Sequence, residues 1–178
     1  MKEITLTIDD KQCKGKEGDT VLDVCRANEI YVPTLCHRDG ISNTGACRMC
    51  LVEIEGIALP QTACSMLAAE GMKIKTNTER LRDMRKINLE LILAERPHFC
   101  MFCPKSGDCE LQNLAYEYGI SHVRFPYTFN ELPADTSHPY LIIDPHHCIL
   151  CGRCIRTCQE VVGNCTLGFK ERGWETTV

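Results

Sequence analysis

No stretch of this chain approaches the roughly 18 uninterrupted apolar residues that a membrane span requires. The opening residues, MKEITLTIDDKQ, alternate charged and apolar positions and lack the apolar core of a secretory signal. Positive charge is also in deficit. The formal net charge is −4 and the pI about 5.9, which argues against a nucleic-acid partner, since neutralising phosphates takes a basic face. Neither a Gly-x-Gly-x-x-Gly turn nor a Walker loop occurs, so nucleotide binding is expected of a partner rather than of this chain. No nucleophile–base arrangement, low-complexity segment or long-period repeat stands out, and no substrate site is recognised. A cytoplasmic, reducing location is expected.

What the chain has in excess is cysteine: 14 in 178 residues. An even count permits a disulfide scaffold. Such scaffolds, however, are chains too small to build a core. This one is 44% hydrophobic and 25% charged, a normal globular balance, and its cysteines cluster in tight C-x-x-C pairs. In a reducing compartment that grammar points to metal.

Residues 3–8 alternate polar and apolar as a half-buried strand does. Asp9-Asp10 marks a turn, and a short return strand should carry Cys13. Asp19 or Thr20 can cap a helix through Val21, Leu22, Val24 and Cys25, with Asn28 near its end. Strand signals follow at 51–54, 57–59 and 72–76, with Gly56 and Gly71 at turns. One helix laid across short strands predicts an α+β domain over 1–78. Thr78 can cap a helix over 78–95 with Leu81, Met84, Ile87, Leu91 and Ile92 as its apolar stripe and Arg80, Arg82, Arg85 and Lys86 in solvent. Arg96-Pro97 should end it. Beyond residue 98, prolines 104, 126, 133, 139 and 145 break up the chain, leaving short helices near 109–118 and 152–162.

The cysteines fall into three groups. The first is Cys36-x10-Cys47-x2-Cys50-x13-Cys64. The loop between Cys36 and Cys47 is rich in small and turn-forming residues, with Gly40 and Gly45 supplying backbone freedom. It can wrap closely and aim N–H groups at sulfide, so four thiolates here suit a [2Fe–2S] cluster. Zinc also accepts four, but zinc ribbons pair two C-x-x-C knuckles. The second group is His98-x-Cys100-x2-Cys103-x5-Cys109. Three thiolates leave one iron of a [4Fe–4S] cluster open, and imidazole can replace thiolate, as in Rieske centres. In an extended segment His98 and Cys100 point the same way. The bland alternative is a hydrogen-bonded loop histidine with the fourth ligand elsewhere.

The third group, Cys148-x2-Cys151-x2-Cys154-x3-Cys158, matches the bacterial ferredoxin run except that Gln159 replaces its proline. There the first three cysteines serve one cluster and the fourth another. The missing ligand therefore comes from beyond Val178, or Cys165 or Cys158 closes the cluster locally, or the site stays empty. The chain is expected to be part of a longer protein. Cys13, Cys25 and Cys165 are read as packing residues. His37, His122, His138, His146 and His147 lack a ligand pattern and receive no role. Lys105, Arg153 and Arg156 lie in or beside the cluster loops, either offsetting cluster charge or as plain surface residues.

Leu35-Cys36-His37, Gly45 through Glu53, Thr62-Ala63-Cys64, Gly107 through Gln112 and Cys148 through Cys154 together resemble one family. It is the amino-terminal iron–sulfur region shared by NAD-linked formate dehydrogenases, [FeFe] hydrogenases, NAD-reducing hydrogenase diaphorase subunits and the large iron–sulfur subunit of respiratory complex I. The resemblance implies a β-grasp, plant-ferredoxin-like domain (1–78) holding a [2Fe–2S] cluster. A helix and [4Fe–4S] segment with one histidine and three cysteine ligands (79–120) would follow, and then a partial bacterial-ferredoxin-like segment (121–178). Complex I–like members place the histidine four residues before the first cysteine, where this chain has Arg96. The implied role is electron transfer between a flavin/NAD(H)-binding subunit, or ferredoxin, and a catalytic subunit, with formate ahead of hydrogen as terminal substrate. Plant-type [2Fe–2S] centres sit near about −400 mV, which suits such donors. The alternatives are a stand-alone ferredoxin-like carrier and a zinc-binding interaction module.

Overall fold

Ile4, Leu6 and Ile8 face one side of the first strand and are buried there, as the alternation requires. In the computed structural model, which describes residues 2–128 and 132–178, this strand, β1 (Glu3–Ile8), pairs antiparallel with β2 (Lys11–Lys16). Asp9 and Asp10 both take positive φ, +47° and +67°, the geometry of a two-residue turn whose twist matches the strands it joins. Helix α1 (Val21–Ala27) starts at Thr20 in a full capping box. The Thr20 hydroxyl accepts from the Asp23 amide at 3.2 Å, and the Asp23 carboxylate accepts from the Thr20 amide at 2.9 Å.

Strands β3 (Leu51–Ile54), β4 (Gln61–Thr62) and β5 (Lys73–Lys75) complete a mixed sheet in the order β2-β1-β5-β3-β4. β5 runs parallel to β1 with Ile8 opposite Ile74, and antiparallel to β3 with Ile54 opposite Ile74. Val21, Leu22, Val24 and Cys25 of α1 pack into the same core as Ile4, Leu6, Ile8, Val52 and Ile74. This is the α+β, β-grasp arrangement expected from the sequence. The expected strand at 57–59 is absent: Gly56, at φ +85°, turns the chain there, and pairing resumes only at Gln61.

Helix α2 (Glu79–Glu95) begins where expected, with the Leu81 amide donating to the Thr78 hydroxyl at 3.3 Å. Its faces differ from the expected ones. Leu81 and Leu89 are buried, whereas Ile87 and Leu91 are exposed. Arg85, expected in solvent, is 2% exposed and donates to the carbonyls of Leu51 at 2.6 Å and Thr76 at 2.8 Å. Its guanidinium supplies donors to two main-chain carbonyls, one at the start of β3 and one just past β5. Among the described residues no helix is long and apolar enough to cross a membrane.

The chain divides into two compact units: residues up to His37 with Asn43–Lys86, and Arg38–Ser42 with Ile87–Val178. The second contains α3 (Glu110–Glu117), the hairpin β6 (Asp135–His138) and β7 (Leu141–Ile143), α4 (Arg153–Arg156) and a π-turn over Thr157–Val162. The sequence pattern does not signal the hairpin, and the single helix expected over 152–162 is broken into α4 and the π-turn. Few apolar side chains are fully buried here, chiefly Leu89, Leu111, Leu114 and Ile155. Polar contacts do much of the joining. Glu90, 1% exposed, pairs with Arg124 at 2.8 Å, and Ser42 donates to Glu160 through its amide at 2.6 Å. A core this sparse leaves room for metal ligation to supply stability.

In the first unit the contact between β2 and α1 is very close. A Cβ built on Gly15 would lie 2.6 Å from Val24 Cγ2. Gly15→Ala should therefore destabilise the protein by about 1–3 kcal/mol through overpacking, seen as a lowered melting temperature. An unchanged melting temperature would show that this contact relaxes freely.

Candidate iron–sulfur centres

The first group converges. Cys36 leaves the loop after α1, Cys47 and Cys50 flank the turn into β3, and Cys64 follows β4. Cys36, Cys50 and Cys64 are each 1% exposed, and their chain neighbours Leu35, Met49 and Ala63 are buried as well. The thiols associate in pairs, Cys36 with Cys47 and Cys50 with Cys64, and Cys36 also acts electrostatically on Cys50 and Cys64. Main-chain N–H groups turn inward as well: those of Ala46 and Cys47 reach the Cys36 sulfur, that of Met49 the Cys47 sulfur and that of Gly45 the Cys64 sulfur. Gly45 takes φ +61°, and a Cβ there would meet Thr62 Oγ1 at 3.2 Å, so the loop needs this glycine to close over the site.

The electrostatics follow from the pairing. The thiol hydrogen bond from Cys47, helped by the amides, pulls Cys36 down to about 5, against burial. Cys47 is driven up by the neighbouring Cys36 and by burial. Cys64 is lowered by Cys50, which is itself raised by Cys64 and burial. In each pair one thiol is held low and the other high, and four buried thiolates would carry more negative charge than the apolar surroundings can hold unaided. A cationic iron–sulfide unit satisfies that donor set. Among the described residues, no three His, Cys, Asp or Glu side chains close on a single point at metal-ion spacing. A [2Fe–2S] cluster spreads its four protein ligands over two irons, in keeping with thiols gathered two by two.

In the second group Cys100 opens a 3-10 turn (Cys100–Phe102), Cys103 ends it with its amide on the Cys100 carbonyl at 3.3 Å, and Cys109 caps α3. Cys100 is exposed, while Cys103 and Cys109 are half-buried. His98 is the informative member. Its Nε2 is buried without a partner, while the ring hydrogen-bonds the Ile92 main chain. That bond falls to Nδ1–H, leaving an unprotonated Nε2 lone pair free. Burial also lowers the imidazole pKa, favouring the neutral form. A metal-binding histidine has this arrangement: one nitrogen oriented by a carbonyl, the other open.

In the third group Cys148 lies within electrostatic reach of Cys151 and Cys154, and burial raises its thiol pKa. The Leu150 amide donates to the Cys148 sulfur at 3.3 Å from a residue at φ +52°. Cys158 sits in the π-turn, buried, and contacts the Thr166 hydroxyl at 3.4 Å. Cys154 and Cys158 both line an open cavity of about 660 Å³ with Arg153, Thr166 and Leu167. Arg156, 6% exposed, donates to the carbonyls of Cys151 at 3.0 Å, Gly152 and Ser42, so it is part of this loop's scaffold rather than a surface residue. Arg153 pairs with Glu110 at 2.7 Å, and Lys105 with Asp108 at 2.9 Å.

Of the cysteines read as packing residues, Cys13 and Cys25 are buried, and burial pushes the Cys25 thiol up to about 12. Cys165 is exposed at φ +52° and packs nothing. His37, given no role from sequence, is 7% exposed: its Nε2 meets Arg26 Nη1 at 2.8 Å and its Nδ1 meets Asn43 Oδ1 at 2.6 Å. It braces the Cys36–Cys47 loop against α1. Adjacency to Cys36 was the only available signal.

Residues 1–79 match the 2Fe-2S iron-sulfur cluster binding domain, and residues 85–124 match the NADH-ubiquinone oxidoreductase-G iron-sulfur binding region. The chain is 34% identical to the gamma chain of the NAD-reducing hydrogenase HoxS of Cupriavidus necator, over 98% of this chain and 74% of that one. It is 35% identical to the alpha chain of the NADPH-Fe(3+) oxidoreductase of Geobacter sulfurreducens, covering 98% of this chain but 21% of the relative. The chain therefore spans about a fifth of the length of several curated relatives. In structure it matches a chain of the NAD+-reducing [NiFe]-hydrogenase crystallised in the H2-reduced state, with TM-score 0.92 and 38% identity over 97% of this chain and 73% of that one.

His37→Ala removes a buried polar brace, and the groups left behind should cost about 1–3 kcal/mol. Thermal unfolding of the reduced, metal-free protein should show a lower midpoint. An unaltered midpoint would mean that the contacts of His37 are idle.

Proposed function

Since the chain belongs to the family of iron–sulfur electron-transfer regions shared by NAD-linked hydrogenases, formate dehydrogenases and the large iron–sulfur subunit of complex I, we propose that it relays single electrons inside an NAD-linked oxidoreductase. Its own residues would hold the clusters in three segments, 1–78, 79–120 and 121–178. Cys36, Cys47, Cys50 and Cys64 take a [2Fe–2S] cluster. His98, Cys100, Cys103 and Cys109 take a [4Fe–4S] cluster. Cys148, Cys151 and Cys154 begin another, which Cys158, in contact with the Thr166 hydroxyl, or a ligand from elsewhere would complete. Bound clusters supply reversible one-electron storage. The protein binds them, withholds water from the first and directs amide N–H groups at sulfur, which makes adding an electron easier.

The convergence of four thiols with inward N–H groups carries this reading. A flavin/NAD(H)-binding subunit on one side and a catalytic subunit on the other are the partners it calls for, and ferredoxin is a further donor. A hydrogen-linked complex is preferred here to a formate-linked one, because a relative covered over 74% of its own length is a hydrogenase component. A reducing, cytoplasmic setting suits 14 free thiols.

Cys47→Ser should abolish the [2Fe–2S] EPR signal in anaerobically prepared protein and leave a [4Fe–4S] signal in place. Survival of both signals would break the proposed ligand grouping. His98→Ala should remove or shift one [4Fe–4S] signal, and an identical spectrum would take the imidazole out of the site.

A further inference from the structure

The middle of the Cys36–Cys47 loop is held from far along the chain. Residues Arg38–Ser42 belong to the second compact unit, although the ligands on either side, Cys36 and Cys47, belong to the first. The contacts of Ser42 account for this. Its amide donates to Glu160 Oε2 at 2.6 Å and its hydroxyl to Glu160 Oε1 at 2.5 Å. Its carbonyl accepts from Arg156 Nη1. Every polar group of one loop residue is thus taken up by two side chains, 114 and 118 positions away.

The same guanidinium is anchored in the third cysteine group, where Arg156 donates to the carbonyls of Gly152 at 3.2 Å and Cys151 at 3.0 Å. Glu160 lies in the π-turn that carries Cys158. Packing offers the loop little else, since Arg38, Asp39, Gly40 and Ser42 are all exposed, and a segment with so little burial opens easily unless polar bonds restrain it. Beyond Ser42 the chain returns to the first unit. Asn43 Oδ1 meets His37 Nδ1 at 2.6 Å, next to Cys36, and the Thr44 hydroxyl reaches the Cys36 sulfur. A displacement of Ser42 therefore passes along the backbone to residues that brace a cluster ligand.

We propose that Glu160 and Arg156 latch the [2Fe–2S] site. They are positioning residues that hold Ser42, and through it the Cys36–Cys47 loop, in the closed shape that keeps water from the cluster. This deepens the electron-relay reading and rests on it. Partners one step removed from a metal site orient its ligands and limit solvent access, so a loop without its latch should surrender iron faster.

The test measures how quickly the [2Fe–2S] EPR signal is lost when the anaerobically purified full complex is exposed to the ferrous chelator bathophenanthroline disulfonate, with dithionite as reductant. Glu160→Ala removes both acceptors. It should shorten the lifetime of the [2Fe–2S] signal at least about threefold, the scale of a hydrogen bond open to water, while the [4Fe–4S] signals decay at their wild-type rates. Glu160→Gln carries the same charge as the alanine variant but keeps an acceptor for the Ser42 amide and a donor for its hydroxyl, so it should restore the wild-type lifetime. An unchanged lifetime in Glu160→Ala would overturn the proposal, as would a Gln variant as fast as the Ala one, or equal acceleration of every cluster. If Glu160→Ala yields no complex, Ser42→Ala, which gives up the hydroxyl bond alone, decides. Selective shortening of the [2Fe–2S] lifetime then upholds the latch, and a wild-type lifetime overturns it. A wild-type complex with no [2Fe–2S] signal would instead sink the relay reading, and this inference with it.

Discussion

Four sulfurs drawn into an apolar loop repel one another once they ionise, and everything around the first site answers that constraint. The thiols of Cys36 and Cys64 are lowered and those of Cys47 and Cys50 raised, each chiefly by its paired neighbour. Amides of Gly45, Ala46, Cys47 and Met49 turn inward to meet the remaining charge. Such a loop cannot hold itself in that shape. The β-grasp sheet fixes Cys50 and Cys64 through the pairing of β3 with β4, where the Ala63 amide donates to the Cys50 carbonyl at 2.8 Å. The Leu22 amide, donating to the Ala63 carbonyl at 3.0 Å, ties the same strand to α1.

The second unit meets the same problem with fewer resources. Its buried apolar residues are scattered, and three of its cysteines are exposed. Buried arginines take over part of the scaffolding: Arg156 ties the third cysteine loop to Ser42, and Arg96 ties the end of α2 to the last residues of the chain. Where the first unit orders its thiols by packing, the second depends on polar ties and on whatever the thiols themselves bind.

Much of this was legible in the sequence. The alternation of β1, the Thr20 and Thr78 caps and the cysteine spacings are short-range patterns, each with a local physical cause. What escaped were residues whose fate depends on distant partners. Arg85 looked solvated because charge ordinarily stays in water, yet the carbonyls of Leu51 and Thr76 gave it a buried role. Ile57 and Leu59 read as strand, but Gly56 turned them outward. Nothing in the letters reveals that the His98 ring meets the Ile92 main chain, the contact that leaves Nε2 open, or that the polar segment at 135–138 pairs with 141–143.

The central claim is that this donor set holds iron and inorganic sulfide rather than a lone divalent ion. Quantifying iron, acid-labile sulfide and zinc in protein prepared without oxygen tests it most directly, together with visible absorption before and after dithionite. The account predicts a brown protein with iron and sulfide in comparable amounts, bleached on reduction. A colourless protein containing zinc, or neither iron nor sulfide, would contradict it.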